Sequence, residues 1–325
     1  MFDVIVVVDW SAAARPATGA DSIWFCLHDV STGFTTPPAN PPTRGAAVTQ
    51  LTDLLHARAS ERILVGFDFS LGFPQGFARA AGLVGDVAWS AVWAHLSASV
   101  HDGPDNSNNR FAVASALNAS ISDGVGPFWG TGSVRDVTPS LSRTKAPGFP
   151  HVIGPSTAVD SAGTGPLSEF RLTERSIASH GRRPLSTWQL AGAGSVGGQT
   201  LTGIPAANRL RHDPRLADRV MVWPFETGLC ADPTDGRADA IVFAEVWPSS
   251  IEVDRARHPV KDAAQVISLA EHLGARVRSG AIAHDFAPQL NQADRAIVVA
   301  EEGWILAAPA TRADAARFRR PTPRP

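Results

Sequence analysis

The apolar positions along the chain fall into short runs in its first quarter. Residues 4–8 are a continuous β-branched run, which is typical of a strand buried on both faces of a sheet. Residues 22–30 and 62–67 predict two further strands, and apolar residues at helical spacing predict a helix over 45–59. The order strand, strand, helix, strand predicts an α/β protein with a mixed sheet.

The same pattern returns near the end of the chain, after a long stretch with little periodicity. Strands are predicted at 219–223 and 240–246, and helices at 260–273 and 285–301. The stretch between holds short predicted helices at 77–81, 88–99 and 110–122, and then a region over 124–203 that is rich in Gly, Ser, Thr and Pro. We therefore predict a core formed by 1–75 and 216–306, an insertion or cap at 76–215, and a flexible Pro/Arg-rich tail at 307–325.

Composition narrows the class of protein. The chain has 325 residues, of which 44% are hydrophobic, so disorder as the global state is excluded. Its 29 basic and 31 acidic residues give a net charge of −2, which argues against binding driven only by attraction to phosphates. Cys26 and Cys230 lie far apart in sequence and lack zinc-finger spacing, so a structural zinc site is not expected. No signal peptide or membrane span is evident, so we expect a cytoplasmic, soluble and reduced protein.

Three of the predicted strands end on or contain an acid: Asp9, Asp68 and Glu245. In an open α/β sheet, functional groups gather beyond the carboxyl ends of the strands. Converging carboxylates repel one another, and Mg²⁺ or Mn²⁺ would allow them to coexist. Each acid alone is more often a turn or cap residue. The repeated Asp-aromatic-Ser pattern at 9–11 and 68–70 favours a shared metal site.

These residues resemble a known family. Asp9, the segment at 66–74 (Gly-Phe-Asp-Phe-Ser-Leu-Gly-Phe-Pro), the Glu-Val-Trp-Pro segment at 245–248, and Lys261 are similar to the prokaryotic family called domain of unknown function 429. That resemblance implies a ribonuclease-H-like mixed sheet flanked by helices, carrying a long inserted segment. It also implies a nuclease-like, metal-dependent hydrolase.

The resemblance further implies roles for individual residues. Asp9, Asp68 and Glu245 would hold Mg²⁺ or Mn²⁺ together with a late acid, Asp285 or Asp294. Lys261 would orient a phosphate or neutralise a carboxylate, although a solvated lysine at a helix start is equally common. Ser11 and Ser70 would donate hydrogen bonds to a phosphate, although such serines more often close a turn.

Two other patterns carry weaker signals. Residues 192–197 match GxGxxG, but no βαβ unit surrounds them and Pro205 follows, so a phosphate-binding or packing turn is favoured over a dinucleotide site. Arginines gather at 171–183 and 209–219 among acids, which predicts a solvated mixed face. In a nuclease these arginines would contact the nucleic-acid backbone.

The leading hypothesis is a metal-dependent phosphodiester hydrolase acting on nucleic acid or another phosphoester. Two bound metal ions would stabilise the attacking and leaving oxygens. A nucleotide-dependent phosphotransferase of the actin-like type shares this sheet, but its phosphate loops normally carry glycine where this chain has Trp10 and Phe69. A non-catalytic binding protein on the same fold is the third possibility. The oligomeric state stays open.

Overall fold

A five-stranded mixed sheet organises the protein. The computed structural model describes residues 1–122, 126–146, 167–192 and 194–310. The strands are β1 (Val4–Asp9), β2 (Trp24–Asp29), β3 (Ile63–Phe67), β4 (Val220–Val222) and β5 (Ile241–Glu245). They lie in the order β2-β1-β3-β5-β4, in which only β2 runs antiparallel to its neighbour. The predicted α/β class with a mixed sheet is confirmed.

Helices cover both faces of this sheet. They are α1 (Arg44–His56), α2 (Phe77–Ala80), α3 (Ala88–Ser99), α4 (Arg110–Ile121), α5 (Leu172–Ser179), α6 (Val196–Arg211), α7 (Lys261–Arg278), α8 (Ile282–Phe286) and α9 (Gln292–Ile297). Short 3₁₀ turns occur at Val134–Asp136 and Pro248–Ser250, and a π-helical turn, Val298–Glu302, continues α9. Among the described helices, none is long and apolar enough to cross a membrane.

Strand β1 separates two apolar layers, as its continuous β-branched run predicts. Val4, Val6 and Val8 pack into the layer that holds α1, α3 and α6. Ile5 and Val7 pack into the opposite layer, with α7 and the segment after α9. Helices α3 and α6, which belong to the segment 76–215, thus form part of one layer of the core. The division of the chain into a core and an insertion stays a prediction.

The parallel register brings three strand ends to one edge. Val8 of β1 pairs with Phe67 of β3, and Phe67 pairs with Glu245 of β5. Because the three strands are parallel, their carboxyl ends point the same way. Asp9, Asp68 and Glu245 therefore follow or end adjacent strands at the same edge.

Two helix predictions differ from the structure. The single helix predicted over 285–301 is wrong: α8 ends at Phe286, and α9 begins at Gln292. Pro288 lies between them, where its missing N–H and fixed φ prevent a continuous helix. The helix predicted over 260–273 is longer in the structure, where α7 ends at Arg278. Helix α6 contains Pro205.

Candidate functional site

Two aspartates meet at the edge where β1 and β3 end. Asp9 is the last residue of β1, and Asp68 follows β3 directly. The Asp68 N–H donates to the carbonyl of Val8 at 3.2 Å, which fixes the two strand ends side by side. The two carboxyl groups lie within hydrogen-bonding contact of each other. Two carboxyls make such a contact when they share a proton or when a cation binds both of them.

The surroundings favour the protonated form of this pair. Burial raises the pKa of Asp68 to about 7, and the negative charge of Asp262 acts in the same direction. Burial also raises the pKa of Asp9 well above its usual range, helped by the charges of Asp68 and Asp262 and opposed by Lys261. A like-charged pair in a poorly solvated place keeps a proton near neutral pH.

Asp68 is held by contacts from two neighbouring segments. The Trp10 backbone N–H donates to Asp68 Oδ1 at 2.7 Å. Gln199 Nε2 lies 3.4 Å from Asp68 Oδ2 and donates to the Trp10 carbonyl at 2.5 Å. The Trp10 indole in turn donates to Thr202 Oγ1 at 3.3 Å. Helix α6 therefore fixes the orientation of the Asp9–Asp68 pair.

A cavity of about 500 Å³ opens beside Asp9. Asp9, Asp21 and Asp262 line it, together with Gly192, Gly194, Ser195 and the start of α6. Arg110 also lines this cavity, which we call the main cavity. Its size is within the range of small-molecule sites.

Close packing positions the amino end of α6 against the main cavity. A Cβ on Gly197 would lie 2.3 Å from the Thr187 carbonyl oxygen, and one on Gly198 would lie 2.5 Å from that of Leu190. Ser195 precedes α6, and its side chain makes no capping hydrogen bond. The first N–H groups of a helix lack intrahelical partners and attract anions. The glycines therefore bring a potential anion-binding helix terminus to the acid pair.

Glu245 lies at the same edge, but an arginine holds its carboxylate. Arg171 Nη1 donates to Oε2 at 2.7 Å, and Nη2 donates to Oε1 at 2.6 Å. The Leu71 N–H donates to Oε2 at 3.2 Å. Burial raises the pKa of Glu245, and the charge of Arg171 opposes that rise. Glu245 and Asp68 line a smaller cavity of about 40 Å³.

Arg171 itself lies in the protein interior. Its side chain is fully buried and also pairs with Glu174. The predicted solvated face is therefore wrong at Arg171, because the acid three residues later and the strand-end acid compensate its charge. Burial of an arginine requires such partners.

Asp285 and Asp294, the two candidate acids near the end of the sequence, do not lie at the Asp9–Asp68 pair. Asp285 forms an ion pair with Arg276 and lines a separate cavity of about 210 Å³, together with His272 and His284. Asp294 is in α9, where its Oδ2 accepts a hydrogen bond from Asn291 Nδ2 at 2.8 Å. The structure brings neither acid to the Asp9–Asp68 pair, and their assignment as metal ligands stays a prediction.

The remaining candidate residues surround the pair in different ways. Ser11 lines the main cavity, but its Oγ donates to the Asp21 carbonyl at 3.0 Å and accepts from the Ala13 N–H. Ser70 is buried and lines the small cavity beside Asp68. Lys261 is exposed at the start of α7, and its charge lowers the pKa of Asp9. The phosphate-binding roles of these residues stay predictions.

Sequence reasoning missed Asp262, which the structure brings to the main cavity. It is the second residue of α7, and its Oδ2 accepts the Asp21 N–H at 2.8 Å. Its charge raises the pKa of both Asp9 and Asp68. Acids are common in the first turn of a helix because they stabilise the helix dipole. The position of Asp262 directly after Lys261 therefore did not mark it as a functional residue.

The donor set suits a hard divalent cation. Asp9 and Asp68 offer carboxylate oxygens, and a cation would replace the shared proton. Over the described ranges, no three His, Cys, Asp or Glu side chains are grouped in a way that could hold a metal ion. A cation bound in this conformation would complete its coordination with water or substrate oxygens.

Comparison with known proteins found no match among family models, curated proteins or solved structures. The residues of the site are therefore the basis for assigning a function.

Proposed function

We propose that this protein is a phosphoester hydrolase that uses Mg²⁺ or Mn²⁺ held by Asp9 and Asp68. The observation that carries the proposal is the contact between these two carboxyl groups, whose pKa values are both raised by burial, beside the main cavity. A structural pair would be expected to have a cationic partner, as Glu245 has in Arg171. Strongly perturbed acids at a cavity are typical of functional sites.

The strand order supports a ribonuclease-H-like assignment. Strand β1 lies between antiparallel β2 and parallel β3, and the two acids follow the ends of β1 and β3. This arrangement agrees with the resemblance to the domain of unknown function 429 family, whose members are expected to be nuclease-like. The strand order and the Asp9–Asp68 pair are separate features that support the same proposal.

Each residue of the site has a defined part in the proposal. The cation, when bound, would supply Lewis acidity and lower the pKa of an attacking water. Asp9 and Asp68 hold it, and the Trp10 N–H and Gln199 orient the Asp68 carboxylate. The uncapped start of α6 faces the same cavity and would bind substrate phosphate oxygens.

Glu245 has a structural part in this proposal. Its carboxylate anchors Arg171 and α5 to the end of β5, and a ligand role would require it to leave Arg171. Leaving would separate the buried Glu245 carboxylate from the guanidinium that compensates its charge, while Arg171 would stay paired with Glu174. The cation site therefore consists of Asp9 and Asp68, with Asp262 nearby.

The test is hydrolysis with Mn²⁺ or Mg²⁺ present. Bis(p-nitrophenyl) phosphate, labelled single-stranded RNA, single-stranded DNA and an RNA–DNA hybrid are incubated with the wild type and with Asp9→Asn, Asp68→Asn and Asp86→Asn. Asp86 is exposed and serves as the matched control. We expect both site variants to lose at least ~100-fold in rate, and the control to keep its activity. Activity that survives Asp9→Asn would contradict the proposal.

A nucleotide-dependent phosphotransferase is the second candidate. It is favoured by Gly192, Gly194 and the start of the 16-residue helix α6, which line the same cavity as Asp9. The amino end of a helix fits the phosphates of a nucleotide. ATP turnover without cleavage of any ester or strand in the same assay would select this activity. Inactivity with all substrates would favour a binding protein.

A further inference from the structure

Arg110 lines the main cavity with an incompletely satisfied guanidinium. It is the first residue of α4. Its Nε is buried and has no hydrogen-bond partner among the described residues. Its Nη1 donates to Asn108 Oδ1 at 2.8 Å, and its Cζ lies 4.2 Å from the centre of the Phe111 ring. One face of the group is thus packed, while a buried donor remains unused.

The charge of Arg110 is also uncompensated. Burial and the positive charge of Arg44 lower its pKa to about 10, and Asp136 acts weakly in the opposite direction. The acid nearest to Arg44 is Asp102, which accepts from its Nε and Nη2 at 2.7 and 2.6 Å. Within the described ranges, no carboxylate lies within 4.0 Å of Arg110. Arg110 is half-buried and its Nε is buried without a partner, and charges in such surroundings are normally paired, so this one points to an anionic ligand.

The main cavity offers room for that anion. Arg110 lines it together with Gly192, Gly194 and Ser195, while Asp9 and Asp262 line the same space. The carboxylates would repel an anion, whereas Arg110 and the amino end of α6 would attract it. An arginine fork also matches the geometry of phosphate oxygens better than a lysine does.

We propose that Arg110 binds a phosphate group of the substrate in the main cavity, which Gly192, Gly194 and Ser195 also line. This inference deepens the proposed function and rests on it, because the substrate would extend from Arg110 to the Asp9–Asp68 pair. Arg110 would then determine which phosphoesters bind, without contacting the reacting phosphorus.

The test is anion binding without metal, which separates it from hydrolysis. Inorganic phosphate is titrated calorimetrically in the presence of a chelator into the wild type, Arg110→Gln, Arg110→Lys and Arg255→Gln. Arg255 is exposed and lies outside the main cavity, so its variant is the control. We expect Arg110→Gln to weaken binding at least ~10-fold, Arg110→Lys to weaken it less, and Arg255→Gln to match the wild type.

Two outcomes would overturn the inference. One is equal phosphate affinity in the wild type and Arg110→Gln, and the other is no binding by the wild type at millimolar phosphate. If Arg110→Gln does not fold, the test uses Arg110→Lys. Wild-type affinity of this variant for both phosphate and AMP overturns the inference, and a lower affinity supports it. Melting curves of each variant identify misfolding.

The source of the phosphate is tested with AMP and with short oligo(dT). A loss of AMP affinity in Arg110→Gln supports a small phosphoester in an enclosed cavity, and a loss confined to oligo(dT) overturns that assignment. Asp9→Asn should keep or improve phosphate affinity, because it removes a repelling carboxylate. The proposed function and the anion site can also be separated. If Asp9→Asn leaves hydrolysis unchanged while Arg110→Gln loses phosphate binding, the proposed function is rejected and the anion site is supported.

Discussion

The guanidinium of Arg171 holds both carboxylate oxygens of Glu245, at 2.7 and 2.6 Å, inside the protein. The same guanidinium pairs with Glu174, and its Nη1 also donates to the Glu302 carbonyl at 2.9 Å. One arginine therefore ties α5, the end of β5 and the π-helical turn after α9 together. This network lies directly beside Asp68, with which Glu245 shares a small cavity.

Removing the arginine should be much more damaging than removing one acid. Arg171→Met leaves Glu174 and Glu245 buried without compensation, and we expect a loss of ~3–5 kcal/mol in the free energy of unfolding. Glu245→Gln leaves Arg171 paired with Glu174, and we expect a smaller loss of ~1–3 kcal/mol. Urea denaturation of the variants measures both.

The control is the half-exposed ion pair of Arg58 with Glu61, in which Nη1 and Oε2 lie 2.9 Å apart. Arg58→Met should change the free energy of unfolding by less than ~1 kcal/mol, because solvent screens that pair. Similar losses for Arg171→Met and Arg58→Met would show that the buried network does not stabilise the fold.

The sheet was predictable because its signal is local. The β-branched run of β1 and the apolar runs of β3 and β5 identify buried strands without knowledge of their partners. The last helix was predicted wrongly because the helical spacing of apolar residues continues across Pro288, while the backbone cannot.

The site was only partly predictable, for a different reason. Asp9 and Asp68 stand at strand ends, and adjacent parallel strands bring such residues together. Whether Glu245 is free or paired depends on Arg171, which is 74 residues away in sequence. Asp262 reaches the cavity only through the packing of α7, which no local pattern records.

The Asp9–Asp68 pair should make stability fall as pH rises in metal-free solution. Burial raises the pKa of Asp68 from its ordinary 3.8 to about 7, so the folded state binds a proton that the unfolded state has released. The stabilisation is present below about pH 4 and is lost as the pH rises towards 7. Thermal melting between those values should show a loss on the order of 2 kcal/mol that Asp68→Asn removes.

The exposed Asp86 provides the comparison for this pH series. Asp86→Asn should keep the slope of the wild type, because its side chain is solvated in both states. An equal slope in the wild type and in Asp68→Asn would mean that the pair does not hold a proton in the folded protein.

A divalent cation should reverse this pH effect. Mn²⁺ or Mg²⁺ binds the deprotonated pair, so the melting temperature should rise with cation concentration and rise more at higher pH. At a cation concentration about 100 times its Kd, the gain approaches ~2.7 kcal/mol. Asp9→Asn and Asp68→Asn should abolish the rise, and Asp86→Asn should retain it. A melting curve that does not move with millimolar Mn²⁺ would contradict the cation site.

The start of α6 should tolerate no added methyl group. A Cβ on Gly197 would lie 2.3 Å from the Thr187 carbonyl oxygen and 2.7 Å from that of Gln189, and both are backbone atoms with little freedom to move. Gly197→Ala must therefore shift α6, and we expect it to destabilise the fold by ~1–3 kcal/mol. Because Gln199 follows within the same turn, the shift should also misalign Asp68 and lower any cation-dependent activity.

Gly45→Ala is the matched substitution. Gly45 lies in α1, where the nearest atom to an added Cβ is Thr43 Oγ1 at 4.0 Å. Alanine is the better helix former, so this variant should gain ~0.5–1 kcal/mol and leave activity and cation binding unchanged. Urea denaturation and Mn²⁺-dependent melting of both variants measure the contrast. If Gly197→Ala binds Mn²⁺ as tightly as Gly45→Ala does, then α6 does not orient the acid pair.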